Sequence, residues 1–447
     1  MRVTIPAAGL LEKVSHQCEE AELYEVRGVS MPVRFVAGTL ESVKSVESVG
    51  RALRVIKNGR LGFSTTTDLT DDITLVENAL QSAQLGGLAG FSLPGRRQSP
   101  AVLCFDAEVE GLTESELIAM GEKAAARLAS YDPQLHVEIS LSTEVEEVRL
   151  LNTHGLEVKE QRTSLSVGID AARVREGDIL IVSDSDVARR RKDVSPMAMV
   201  ERLIERLGWS EKTTTVQSKT MPVVFYPRGA IVLLLPLMAG LSGRNVSMGS
   251  SPLRDKLGQE AFASEFTLLD DGRLDYAARS ASYDDEGTPT SRKALIEDGV
   301  VRQFMYNLKT AGQVGAQPTG NGFKSSFFGG GFSDQPGIAP CTWCVRAGER
   351  SLQAILGRLP EALLVEQVIG LGQGNVTAGE FSNNVSLGFL TRRGEIVGRV
   401  KNTMIAGNVY HLLRERLIAL SDRAEWAYGV MRAPAIALDG VSVASSA

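Results

Sequence analysis

The chain has 447 residues, with 48 Lys and Arg, 54 Asp and Glu, and a formal net charge of −6. At roughly 100–200 residues per domain, that length allows two or three domains with a full core. The acidic balance argues against a dedicated nucleic-acid binder, which usually carries a basic face. Only four His (His16, His136, His154, His411) and four Cys (Cys18, Cys104, Cys341, Cys344) are present, so few side chains are available for metal or nucleophilic chemistry.

In chain order, the first stretch is amphipathic, with Leu10, Leu11 and Val14 at helical spacing. Strands are predicted over 23–26, 31–36 and 51–56. Asn58-Gly59 favours positive φ at two successive positions, so 51–64 reads as a hairpin. A helix is predicted over 69–85, burying Ile73, Val76, Ala79 and Leu80. A Gly-, Pro- and Arg-rich loop covers 90–100. Thr113 with Glu116 then forms a capping-box pattern that opens a helix running to Ala129. Leu135, Val137, Ile139 and Leu141 alternate with polar residues as in a half-buried strand, and strand-like runs continue over 144–151, 156–161 and 164–172. Ser195 and Pro196 predict the N-cap and first residue of a helix that Gly208 ends. The polar segment 212–220 is the expected boundary between domains 1–215 and 216–447.

The second half opens with strand 223–225 and the apolar helix 230–241, which Pro236 should kink or divide. Gly-rich turns and short strands follow. Arg392–Glu395 joins strands 385–391 and 396–400. Val409, Leu412, Leu413, Leu417 and Leu420 keep helical spacing. Strands clustered among helices predict an α+β fold with an N-terminal α/β domain and a strand-rich C-terminal domain. No apolar stretch follows the basic start, so no signal peptide is expected. The longest apolar run, 230–241, falls short of the roughly 20 residues a membrane span needs. A cytoplasmic chain with reduced thiols, no membrane and no nucleic-acid partner is expected.

Local motifs for chemistry are sparse. Cys341-x-x-Cys344 has redox spacing without a redox setting, and reads as two ordinary thiols. No GxSxG elbow occurs. Gly370–Gly374 is a GxGxG with no following helix, so dinucleotide binding is not expected. Arg189–Lys192 reads as a solvated basic loop. The densest acidic cluster is Asp284-Asp285-Glu286 before Gly287. It could position a cation or a peptide amine, or supply a general base. Composition alone favours a solvated turn.

Several segments taken in order resemble the TldD/PmbA family, cytoplasmic peptidase-related proteins once described as modulators of DNA gyrase. They are 54–65, the turn 283–290 with 294–300, Thr319-Gly320-Asn321-Gly322, 375–382, and 394–396 with 403–408. The resemblance spans nearly the whole chain. It implies a two-domain fold whose dimers enclose a cavity, where an extended peptide adds to sheet edges. It also places Asp284, Asp285, Glu286, Gly320, Asn321 and Gly322 near that cavity.

The catalytic members of that family carry a zinc-binding HExxxH helix and a late Cys. A gapless placement puts the first His at Leu234, the Glu at Leu235 and the second His at Ala239. No Cys stands in Glu425–Arg432, the stretch that corresponds to the late ligand. The resemblance therefore implies a PmbA or TldE-like subunit with no catalytic residue, metal or other cofactor of its own. Its expected partners are a zinc-bearing TldD-like catalytic subunit and unfolded or leader peptides. Two alternatives stay open. One is a homodimeric peptidase with a different metal site, built on Asp284, Asp285, Glu286 and a His. The other is a peptide-binding regulatory protein without proteolysis.

Overall fold

The computed structural model describes residues 7–175, 177–326 and 329–445. The first half is built on one seven-stranded sheet. Helix α1 (Ala7–Ser15) leads into β1 (Glu20–Val36), β2 (Thr39–Val43), β3 (Val46–Lys57) and β4 (Arg60–Thr66). Asn58 and Gly59 both have positive φ, 51° and 67°, so the predicted hairpin turn between β3 and β4 forms. Strands β5 (His136–Asn152), β6 (Glu157–Arg175) and β7 (Asp178–Ala188) complete the sheet in the order β4-β3-β1-β5-β6-β7, with β2 on β1. The long β1 holds it together, with Leu23 opposite Leu53 of β3 on one side and Leu151 of β5 on the other.

Helix α2 (Asp72–Leu85) covers one end of this sheet, with Ala79 buried and Val76 and Leu80 packed against the core as predicted, and with Ile73 turned outward. Leu75, Ala79 and Ala83 are buried, whereas Ile73 is 71% exposed. Asp72 takes the buried position beside Ile73, with its carboxylate 2.6 Å from the buried Arg51 guanidinium. Arg51 also meets Glu25 at 2.7 Å. The predicted helix from Thr113 is α3 (Glu114–Tyr131), with its capping box formed. Ser195 caps α4 (Pro196–Trp209) as predicted. Val137, Ile139 and Leu141 of β5 pack beneath Leu117 and Leu128 of α3 and Leu203 and Leu207 of α4.

The second half carries a twelve-stranded mixed sheet spanning Thr213 to Ser445. At its centre, Lys219–Phe225 runs parallel to Ala362–Ile369 and antiparallel to Met431–Ser445. These central strands are apolar on both faces. Val223, Phe225, Leu363, Val365, Ile436 and Leu438 join one core, while Val224, Leu364 and Ala437 join the core around α3 and α4. Continuous apolar runs such as Val223-Val224-Phe225 are what a doubly covered sheet requires. The layers are therefore sheet, helices α3 and α4, sheet, and a last helical layer led by α5 (Ile231–Gly240). Helix α5 continues through Pro236, and its residues 231–237 are all buried, as an all-round apolar helix must be.

One further expectation fails. The helix begun at Val409 ends at Glu415, and Leu417 and Leu420 belong to strand Leu417–Ala427. They pair there with Leu438 and Ile436 of the terminal strand, and that pairing overrides the helical spacing. The segment β7 carried no element in the sequence reading, because its Ser and Asp residues mask the alternation. Among the described residues, no helix is long and apolar enough to cross a membrane.

Where α4 meets the second sheet, Arg206 lies 3.1 Å from the buried Glu366 carboxylate and stacks over Trp209 and Tyr226. Burial pushes the Glu366 carboxyl up to about 7. A carboxyl raised in the folded state contributes stability that is complete below its unfolded pKa and is lost as pH rises through the folded value. Replacing Glu366 by Gln should therefore gain stability relative to wild type as pH rises from about 5 to about 9, read by urea unfolding. A constant difference across that range would contradict the assignment.

Candidate functional site

The face of α5 singled out by the sequence sits at a junction. Leu234 is 1% exposed, Leu235 is buried and Ala239 is half-buried. Leu234 lines a small apolar hollow with Ile231 and Met238, closed by Trp343, Val430 and Met431. Val430 and Met431 belong to the 425–432 stretch, so two segments nearly 200 residues apart in sequence converge on one place. Trp343 pairs in parallel with Met431 in the sheet, and both line the hollow with Leu234.

A zinc site needs three or four N, O or S donors in a compact set. Leu234, Leu235 and Ala239 offer hydrocarbon only, and the lining residues do not fit zinc. Among the described residues, no group of three or more His, Cys, Asp and Glu is arranged to hold a metal ion. Among the described residues lining the hollow, Arg279 and Trp343 carry polar side-chain groups. Arg279 donates to the Pro340 and Ser325 carbonyls. Burial pulls its pKa below the ordinary arginine value. The buried Trp343 Nε1 has no hydrogen-bond partner among the described residues.

The acidic turn is not solvated. Asp284, Asp285 and Glu286 are 3%, 6% and 1% exposed. Their oxygens are committed to the chain itself. Asp284 accepts from the backbone N–H groups of Glu286, Thr288 and Gly322. Asp285 accepts from the N–H of Lys324. Glu286 accepts from the N–H of Leu308 at 2.7 Å and pairs with Arg54 at 2.6 Å. Arg54 also meets Glu22 of β1 at 2.9 Å. The correction to the solvated turn is physical: a carboxylate leaves water when fixed donors and an opposite charge replace it.

The other three candidates lie in the same contact. Gly322 sits so close that an added Cβ would stand 2.3 Å from a Glu286 carboxylate oxygen. Gly320 has φ of +70°. The Asn321 amide donates to Asp270 and the Ala339 carbonyl. Burial, with Glu286 nearby, pushes Asp284 well above the usual carboxylate range. Burial also pushes Glu22 up and lowers Lys324 to about 8. The Lys324 ammonium lies over the Tyr24 and Phe63 rings and donates to the Phe332 and Asp334 carbonyls.

The remaining motifs resolve simply. Cys341 and Cys344 are free, and burial pushes Cys344 up to about 12 and Cys341 well above the usual thiol value. Burial disfavours the thiolate form at both positions. His411 is exposed and lies 3.5 Å from Glu415. The basic run is not fully solvated: Arg189 is buried and donates to the Ala277 and Ala278 carbonyls, fastening the two halves together. Arg54, Arg279, Lys324 and Trp343 were not singled out as site residues by sequence. Their partners lie far along the chain, as with the 232-residue separation of Arg54 and Glu286, and no local pattern announces them.

Three family models match the chain: PmbA/TldA metallopeptidase domain 1 over residues 21–83, the central domain over 108–211 and the C-terminal domain over 218–445. An uncharacterized protein of Methanocaldococcus jannaschii is 27% identical over 406 residues, covering 89% of this chain and 91% of its own length. Metalloprotease PmbA of Escherichia coli O157:H7 is 25% identical, covering 90% and 88%. The crystal structure of TldE from Thermococcus kodakarensis superposes with a TM-score of 0.89 at 23% identity, covering 98% of this chain and 99% of that one.

Removing Arg54 should be costly. Arg54→Ala leaves Glu22 and Glu286 buried without their shared cation, a loss of about 3–5 kcal/mol. Equilibrium urea unfolding of variant and wild type measures it. A loss below about 1 kcal/mol would mean that the network contributes little.

Proposed function

The chain belongs to the PmbA/TldD metallopeptidase family, and on that premise we propose that it is a zinc-less subunit of a metallopeptidase heterodimer. It pairs in the cytoplasm with a zinc-bearing TldD-type subunit, walls the shared chamber, and helps hold unfolded or leader peptides for cleavage by that partner. The observation that carries this reading is the hydrocarbon face of α5. Leu234 meets the Val430–Met431 segment where the resemblance expects metal ligands, and neither segment supplies a donor set.

The same reading gives Asp284, Asp285, Glu286, Gly320, Asn321 and Gly322 a positioning role near the peptide. The acidic turn holds Gly322 and Lys324 by their backbone N–H groups. It thereby sets the short strand pairs Gly322–Phe323 with Gly337–Ile338, and Ser325–Ser326 with Gly329–Gly330. Short strands with a free edge offer backbone donors and acceptors to an extended peptide, and such pairing reads little side-chain sequence.

The test uses the purified chain alone, the TldD-type subunit of the same organism alone, and the two mixed. Casein or leader-peptide cleavage should need the TldD-type subunit, rise on mixing, and be abolished by a chelator. Elemental analysis of the lone chain should find no stoichiometric zinc. Robust chelator-sensitive cleavage by the lone chain would sink the proposal.

A further inference from the structure

Past the end of α5, the chain turns through Ser242 into the short helix Gly243–Ser247. There it faces helix Leu308–Val314 across an open groove of about 730 Å³. The polar side chains along this groove include Ser242, Arg244, Ser247, Lys309, Gln313 and Gln335, and no Asp or Glu is among the described residues that line it. Acidic residues outnumber basic ones by 54 to 48 in this chain, so a polar groove with two cations and no carboxylate stands out. Arg244 and Lys309 are exposed, and neither has an ion-pair partner among the described residues.

The groove does not end there. It shares Ser326, Gln335, Gly337 and Ile338 with a second groove of about 380 Å³, lined by the two short strand pairs from Phe323 to Ala339. An extended chain lying along those strands would deliver one end, or one side chain, to Arg244 and Lys309. Asp334 in the second groove is occupied by the Gly331 N–H, at 3.0 Å, and lies outside the cationic end.

We propose that the Arg244–Lys309 end of the groove binds a carboxylate of the held peptide, either its C-terminal α-carboxylate or an acidic side chain. Guanidinium and ammonium groups flanked by hydroxyl and amide donors match a carboxylate, and charge-assisted hydrogen bonds are the stronger ones. The inference rests on the peptide-holding reading above and adds the chemical class of what is held.

Calorimetric titration of the full chain with three short synthetic peptides tests it. All share one apolar sequence: a free acid, a C-terminal amide, and an amide carrying a Glu near its end. The free acid or the Glu peptide should bind about tenfold tighter than the plain amide, a difference of about 1.4 kcal/mol. Which of the two binds tighter identifies the source of the carboxylate. The double variant Arg244→Gln, Lys309→Gln should erase that preference and keep the affinity for the amide. Both side chains are exposed, so its thermal unfolding should match wild type. Equal affinity for all three peptides would overturn the anion site and leave peptide holding intact. Failure of all three to bind would overturn both.

Discussion

One guanidinium ties the acidic turn of the second half to the first sheet. Arg54 stands in the first sheet, yet its charge is shared between Glu22 beside it and Glu286 from the far half of the chain. Each member is almost fully buried, so none is tolerable without the others. Burial raises the cost of every unpaired charge, and the paired geometry is therefore set by necessity. Glu286 also accepts the N–H of Leu308, and Asp284 and Asp285 accept those of Gly322 and Lys324. Through these bonds the ionic contact fixes the turn, the glycines behind it and the short strands that line the groove.

The same contact explains what was legible in the sequence. Features that depend on neighbours a few residues apart were readable: the Asn58-Gly59 turn, the Thr113–Glu116 capping box, the Ser195 N-cap and the alternation of Val137, Ile139 and Leu141. Features decided by distant partners were not. The acidic turn looked solvated because nothing local shows Arg54 arriving. Ile73 of α2, expected inward, is exposed, and its neighbour Asp72 is buried against Arg51 instead. Leu417 and Leu420 kept a helical spacing that pairing with the terminal strand overrode. Arg189 resembled its exposed neighbours until the carbonyls of Ala277 and Ala278 captured it. The α+β class survived these errors because it depends on the overall run of elements.

The candidate site was legible in part, and for a different reason. Family resemblance carried the α5 helix and the 425–432 stretch, which periodicity alone would have assigned to core. The structure brings them together at one hollow. Arg279 and Trp343, which border that hollow, carried no sequence signal.

The hydrocarbon character of that face has an energetic logic. A helix buried as deeply as α5 can carry polar ligands only when a metal satisfies them, because an unpartnered buried polar group costs several kcal/mol. Once a single ligand is lost, those that remain become liabilities rather than half a site. The stable end point is a helix with no polar side chain facing the sheet, and Leu234, Leu235, Leu237 and Ala239 present that composition. The packing of α5 beneath the sheet therefore rests on hydrocarbon contacts. In such a scaffold, free cations such as Arg244 and Lys309 belong where solvent and ligand can reach them, beyond the sealed end of the helix.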